Sequence, residues 1–388
     1  MPDEQHIHWI EDEQPCSARW RSESGAPAPK RVQIADDRMD ADSAYRLACE
    51  GVGLLWRGDF QNARQLLQAL ARRIDRPAPV KRARLKKTAA TPINTIAAQP
   101  FHLRRQAQSQ RARILGMLLL PHDSDHGVPL RRAPDVRQAC SDAYGAASEP
   151  YVASMRELLG LIGAFEWRKN GIPVAALGEK IHPHYGVFAP VRSEYVDLMA
   201  SVPLPAGAHA LAFDIGTGTG VLAAVLARRG IAKIIATDQD PRALACAREN
   251  LTRLGLAQVE LLQADLFPPG RAALIVCNPP WLPARPSSPI EHAVYDPESR
   301  MLRGFLQGLP AHLTPGGQGW LILSDLAEHL ALRTRESLMA MFAEAGLRVI
   351  EKHDIRPQHP RVSDTEDVLH QARAAEVTSL WRLAVVEV

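Results

Sequence analysis

Phe213-Asp214-Ile215-Gly216-Thr217-Gly218-Thr219-Gly220 is the stretch from which the rest of this chain is read. Ala210 to Phe213 is a short apolar run that predicts a strand, and Asp214 closes it. Three glycines then alternate with small residues. Val221 to Arg229 is rich in Ala and Leu and predicts an amphipathic helix. Strand, glycine turn and helix bring backbone N–H groups and a positive helix end against a ligand. Glycine suits the turn because a Cβ would block the approach and because positive φ is open to it.

The spacing narrows the ligand. A dinucleotide fingerprint, G-x-G-x-x-G/A, needs its third small residue at 221, where Val221 stands. The third glycine is Gly220 instead, and an acid precedes the first glycine by two. This D-x-G-x-G-x-G form resembles motif I of class I S-adenosylmethionine (SAM) methyltransferases. The resemblance implies a SAM site built on Asp214, Gly216, Thr217, Gly218 and Gly220. Ile234 to Asp238 ends a second strand in an acid, roughly 24 residues beyond Asp214, where a carboxylate can accept both ribose hydroxyls. Asp238 and its neighbour Gln239 are therefore counted as cofactor contacts. Asp240-Pro241 then opens a helix as cap and first residue.

Ile275-Val276-Cys277-Asn278-Pro279-Pro280-Trp281 is the most specific signal. Two prolines after a buried strand cannot continue a ladder, and they make a rigid loop at its C-terminal end. The sequence resembles the N/D-P-P-Y/F/W motif of enzymes that methylate nitrogen on planar groups. An amide or aromatic amine is a poor nucleophile because its lone pair is delocalised. The resemblance implies that the Asn278 oxygen and the Pro279 carbonyl accept the two amine hydrogens, restoring lone-pair character. Pro280 stiffens the loop, and Trp281 stacks on the planar group. Alignment then supplies much of the rate. Asn278 is also counted beside the cofactor. In the resembled family an acid after the third strand accepts from the adenine amine while a neighbouring N–H donates to the ring. Asp265 and Leu266 are those residues here. Cys277 reads as a small buried strand residue.

Phe188-Ala189-Pro190-Val191-Arg192-Ser193-Glu194 resembles the segment leading into the catalytic domain of release-factor glutamine N5-methyltransferases. Arg192 can meet the methionine carboxylate or cap a surface. Asp296, Glu298 and Arg300 stand where that family begins a substrate-side helix, and they also suit an ordinary charged helix start.

Bulk properties exclude several classes. With 388 residues, 46% hydrophobic and 23% charged, the chain has room for two or more globular domains. No apolar run is long enough to span a bilayer, and Asp3, Glu4, Glu11, Asp12 and Glu13 do not form a secretory leader. Five scattered cysteines without a C-x-x-C pair predict reduced thiols in a cytoplasm and no zinc site. His182 and His184 flank a proline without a further clustered ligand, so a structural or substrate-facing role is expected. The net charge of +3 does not by itself imply nucleic acid.

Three regions are expected. Residues 1–40, polar and acidic, predict a disordered arm. Residues 41–180 predict a mainly helical substrate or partner domain. Within it Tyr45, Ala48, Val52 and Leu55 recur at helical spacing, and helices are also expected over 134–144 and 151–168. It holds a basic stretch over 72–113, with Arg72, Arg73, Arg76, Lys81, Arg82, Arg84, Lys86, Lys87, Arg104, Arg105, Arg111 and Arg113. That stretch is a contact for RNA phosphates or a solvated linker. Residues 181–388 alternate strands and helices, an α/β pattern. The resemblance, covering about residues 182–388, implies a Rossmann-like seven-stranded class I methyltransferase sheet of the methyltransferase small domain type, with SAM as cofactor. That type includes glutamine methyltransferases of release factors and ribosomal proteins, and RNA guanine or adenine N-methyltransferases. Trp281 stands where the glutamine enzymes carry tyrosine.

The expected function is N-methylation of a planar nitrogen on a macromolecule, a protein glutamine first. The alternatives are an exocyclic amine of RNA or DNA, a small molecule, or a SAM-binding module without catalysis. Asp214, Asp238, Asp265 and Asn278 count against the last. The oligomeric state is not legible in the sequence.

Overall fold

The computed structural model describes residues 5–76, 98–146, 149–286, 291, 293–357 and 369–386. The chain divides into two units, residues 1–91 with 102–166 and residues 92–101 with 167–388.

The first unit begins with β1 (His6–Glu11) and β2 (Gln14–Arg21), an antiparallel pair. Asp12 and Glu13 between them both have positive φ, 49° and 63°, as a tight hairpin turn of matching twist requires. The chain continues as β3 (Arg31–Ala35), α1 (Ala41–Cys49), β4 (Val52–Trp56), α2 (Phe60–Ile74), α3 (Gln99–Leu115), β5 (Leu118–His122), α4 (Arg137–Tyr144), β6 (Tyr151–Ser154) and α5 (Met155–Asn170). The six strands form one sheet in the order β1-β2-β6-β5-β4-β3, with β3, β4 and β5 parallel.

Two expectations are corrected here. Residues 5–40 carry three strands rather than a disordered arm. The acids of the hairpin turn dominate the composition, yet Ile7 and Trp20 are buried with Leu55, Leu119 and Val152. The described residues of 41–180 are mixed α/β rather than mainly helical. Val52 to Trp56 is buried at every position. A parallel strand buried on both faces shows no alternation, so Val52 and Leu55 matched helical spacing by coincidence. Of the basic stretch, Lys81, Arg82, Arg84, Lys86 and Lys87 lie outside the described residues. Arg73 pairs with Asp42 at 2.7 Å and Arg111 with Asp75 at 2.9 Å.

The second unit opens with the hairpin β7 (Ile172–Val174) and β8 (Glu179–Ile181) and helix α6 (Glu194–Ser201). There follow β9 (Leu211–Ile215), α7 (Val221–Arg228), β10 (Lys233–Asp238), α8 (Pro241–Arg253), β11 (Val259–Gln263) and β12 (Ala272–Cys277). Then come α9 (Arg300–His312), β13 (Leu313–Ser324), α10 (Leu326–His329), α11 (Arg335–Glu344), β14 (Leu347–Ile355), α12 (His370–Ala375) and β15 (Thr378–Val385). Seven strands form one sheet in the order β11-β10-β9-β12-β13-β15-β14, with β15 antiparallel to both neighbours. This is the class I methyltransferase sheet that the resemblance implied. The chain's direction of travel reverses between β9 and β12, which opens a crevice beyond their C-terminal ends.

Alternation sorts the strand residues onto two cores. Ala212, Leu274, Val276, Trp320 and Ile322 face α6, α7 and α8. Phe213, Ile275, Cys277, Leu321 and Leu323 face α9 and α11. Helix α7 is buried along nearly its whole length, which explains its run of Ala, Val and Leu. With both faces covered, the strand tips are the part of the sheet left for a ligand.

Candidate active site

Register brings the motifs together. Ile215 at the end of β9 pairs with Thr237 of β10 on one side and with Cys277 of β12 on the other. One residue further along each strand stand Gly216, Asp238 and Asn278. The glycine turn, the second-strand acid and the asparagine loop therefore share one edge of the sheet.

The turn is held by backbone. The N–H groups of Gly216 and Thr217 donate to the Thr237 carbonyl at 2.9 and 2.8 Å. Gly216 has φ 72°, and a Cβ there would lie 2.5 Å from Met301 Cε. Gly220 has φ 81°, and its Cβ would meet Ala247 at 3.2 Å. Both have the left-handed backbone conformation that favours glycine. Gly218 N–H donates to Asp238 Oδ2 at 3.0 Å, and Asp240 N–H to Asp238 Oδ1 at 3.0 Å. Burial raises the Asp238 carboxyl above its ordinary pKa, against the pull of those two donors.

Asp214 is 1% exposed. Its Oδ2 accepts from Thr217 Oγ1 at 2.6 Å and from Ala223 N–H at 3.1 Å. Its Oδ1 is buried and accepts no hydrogen bond among the described residues. Burial pushes this carboxyl up to about 6, although Thr217 and Ala223 act the other way. An orphaned acceptor on a buried acid beside a glycine turn suits a cationic ligand group.

On the other side of Gly216, Trp281 Nε1–H donates to Asn278 Oδ1 at 2.9 Å. The Arg192 guanidinium lies 5.4 Å from the Trp281 ring centroid. Arg192 donates to Glu194 at 2.9 Å and to Glu376 at 3.1 Å, and Ser324 Oγ donates to Glu376 at 2.7 Å. Glu194 and Glu376 are both buried. Pro279 is buried and Pro280 partly so. Burial drives the Cys277 thiol well above its ordinary pKa, which removes it as a nucleophile.

The model of the methyltransferase small domain matches the chain over residues 180–346. Over that stretch, less than half of its length, the chain is similar to methyltransferase small domains. Release factor glutamine methyltransferase of Cereibacter sphaeroides is 40% identical over 129 residues, covering 28% of this chain and 45% of that protein. Its counterpart in Geobacter sulfurreducens is 34% identical over 154 residues, covering 36% and 51%. The chain thus spans about half the length of these relatives. A solved ribosomal protein L11 methylase from Lactobacillus delbrueckii subsp. bulgaricus aligns at 19% identity with a TM-score of 0.37, over 56% of this chain and 90% of that one.

Several groups at the strand tips fit parts of a SAM molecule. Asp214 Oδ1 fits the ammonium of its methionine end. Asp238, with acceptor capacity left on both oxygens, fits the ribose hydroxyls. Asp265 lies beyond the tip of β11. It is exposed and already takes Arg300 at 2.6 Å, so an adenine amine would share it. Leu266 has φ 79° and its carbonyl accepts from Thr237 Oγ1 at 2.5 Å, which fixes the backbone beside it. Gln239 is exposed, and its carbonyl accepts from Gln263.

Other residues named from the sequence have structural partners. His182 Nδ1 lies 2.6 Å from the Arg168 carbonyl. His184 Nε2 lies 2.7 Å from Glu249, which Arg168 and Arg253 also hold. Burial opposes ionisation of Glu249, but those three donors bring it down to about 2. No group of three His, Cys, Asp or Glu among the described residues could hold a metal. No helix among them is long and apolar enough to cross a membrane. Asp296 is a cap: its two oxygens accept from Met301 N–H at 3.0 Å and Leu302 N–H at 3.1 Å at the start of α9. Met301 is then placed against Gly216. The sequence signal for Met301 was absent, because its contact is tertiary.

Proposed function

We propose that this chain transfers the methyl group of SAM to the side-chain amide nitrogen of a protein glutamine. The observation that carries this reading is the shared level of Asn278, Gly216 and Asp238 across three adjacent strand tips. This register supports a site in which an amide acceptor stands beside groups that fit the cofactor.

Asp214, Asp238 and Asp265 hold the donor, with the glycine turn against it. Bound SAM supplies a methyl carbon already activated by its sulfonium. Asn278 Oδ1 keeps one lone pair after accepting from Trp281 and takes one hydrogen of the incoming NH₂. The Pro279 carbonyl takes the other. Holding both hydrogens aims the nitrogen lone pair at the strand tips; as the N–C bond would form, the sulfonium C–S bond would break, and one of the two held protons would leave along its hydrogen bond to solvent. Arg192 stands over Trp281, and the indole offers the substrate amide a flat surface. The relatives that carry glutamine in their names support the substrate class, and so does the segment Phe188 to Glu194.

A nucleic-acid amine is the second reading. Helix α3, 17 residues without an acid, favours it. Incubating extract with methyl-labelled SAM and separating protein, RNA and small-molecule pools tests the choice. Label in protein supports the first reading, and label confined to RNA replaces it with the second.

A further inference from the structure

We propose that Arg333 is the anion-binding group of a substrate subsite, and that its ligand is a side-chain carboxylate of the methylated protein. The inference rests on the protein-substrate reading above.

Arg333 follows α10 and is 6% exposed. Its Nε and Nη2 are buried and donate no hydrogen bond among the described residues. A guanidinium cannot shed its proton in a protein, so the charge stays where it is. A buried charge without a partner is among the costliest features a fold can carry. Two carboxylates are close enough to act on it, Glu328 and Asp296. Both are committed elsewhere. Glu328 takes Arg335 Nε on its two oxygens, at 3.0 and 2.9 Å. Asp296 caps α9 with its two oxygens, and neither takes a hydrogen bond from Nε or Nη2 of Arg333. The donor edge of Arg333 is thus without an acceptor among the described residues.

Its place is on the substrate side. Asp296 N–H donates to the Leu282 carbonyl at 2.8 Å, and Leu282 is the first residue after the Asn278–Trp281 loop. Leu282 shares an apolar cluster with Leu326, Ala327 and Leu330. Arg333 N–H donates to the carbonyl of Ala327 in that cluster at 3.3 Å. The segment follows β13, which lies across β12 from the cofactor acids of β9 and β10. Arg333 therefore belongs with the methyl-accepting loop.

The chemistry of the ligand follows from edge and access. Nε–H and Nη2–H lie side by side and match the paired oxygens of a carboxylate or a phosphate. The small exposure of Arg333 separates the two. A backbone phosphodiester carries an ester arm on each side, whereas an Asp or Glu carboxylate ends a slim flexible stem.

Thermal unfolding of the full chain, titrated at constant ionic strength, tests this with two probes. Propionate stands for the side-chain carboxylate and dimethyl phosphate for the nucleic-acid backbone. Propionate should raise the wild-type midpoint saturably above the chloride control, and should do nothing beyond chloride to Arg333→Met. The variant alone should melt at least as high as wild type, since it removes an unpaired buried charge. The proposal is overturned by a wild-type midpoint indifferent to propionate, by an equal shift in the variant, or by a variant that melts well below wild type. A dimethyl phosphate shift larger than that of propionate overturns the carboxylate and points to nucleic acid. None of these readings depends on methyl transfer, so failure here is distinct from failure of the glutamine reading.

Discussion

The indole Nε1–H of Trp281 donates to Oδ1 of Asn278 at 2.9 Å. One residue of the loop thereby fixes the rotation of the other, and the amide oxygen is committed to one direction. A phenylalanine at 281 keeps a ring and loses the donor. Trp281→Phe should slow transfer about tenfold, the worth of one hydrogen bond of about 1 to 1.5 kcal/mol. Calorimetry should show SAM binding unchanged. Wild-type rates in the variant would mean that the bond orients nothing.

Arg192 is held between two buried carboxylates, Glu194 and Glu376. Arg192→Met strands both. Removing one partner of a buried pair costs about 3 to 5 kcal/mol, so the urea midpoint of this variant should fall clearly. Glu376→Gln leaves Arg192 with Glu194 and should fall less. The reverse order would show that Arg192 is not what keeps these acids buried.

Asp214 sets a pH dependence. Its folded pKa of about 6 lies above the unfolded value of about 4. The folded chain thus binds a proton that the unfolded chain releases. The stability from that proton is full below about pH 4 and is lost as the pH rises through about 6. A cationic ligand works in the opposite sense, because it needs the ionised acid. SAM affinity should weaken as the pH falls below about 6, approaching tenfold per unit at the steep limit. Asp214→Asn should bind more weakly and flatten the profile. A flat wild-type profile would separate Asp214 from the ligand's charge.

What the sequence disclosed depended on how local each constraint is. The β9 turn and the β12 loop were legible because glycine and proline are demanded by backbone geometry at those points. Asp238 was legible because its distance from the turn is set by one helix and one strand. The hairpin of β1 and β2 was hidden by the acids of its own turn. Strand β4 was hidden because a fully buried strand has no alternation to read. Asp296 caps α9 from four residues before the helix, across Glu298 and Ser299, which both have positive φ, so no capping signature adjoins the helix. The Arg300 pairing with Asp265 and the Arg192 contact with Trp281 join segments far apart in the chain, and no spacing encodes them.

Asn278→Ala removes the acceptor that the whole mechanism needs. Transfer should fall by roughly a hundredfold to a thousandfold, the usual loss for one preorganised polar group at a reacting centre. Glycine-turn binding of SAM should survive. Single-turnover rates at saturating SAM separate the two effects, and a variant that keeps its rate would remove Asn278 from the chemistry.

Tandem mass spectrometry of protein methylated by this chain with isotope-labelled SAM tests the central claim most directly. The account predicts the label on the side-chain nitrogen of a glutamine, and its near-disappearance with Asn278→Ala. Label on another side chain, or an unchanged yield from that variant, would contradict it.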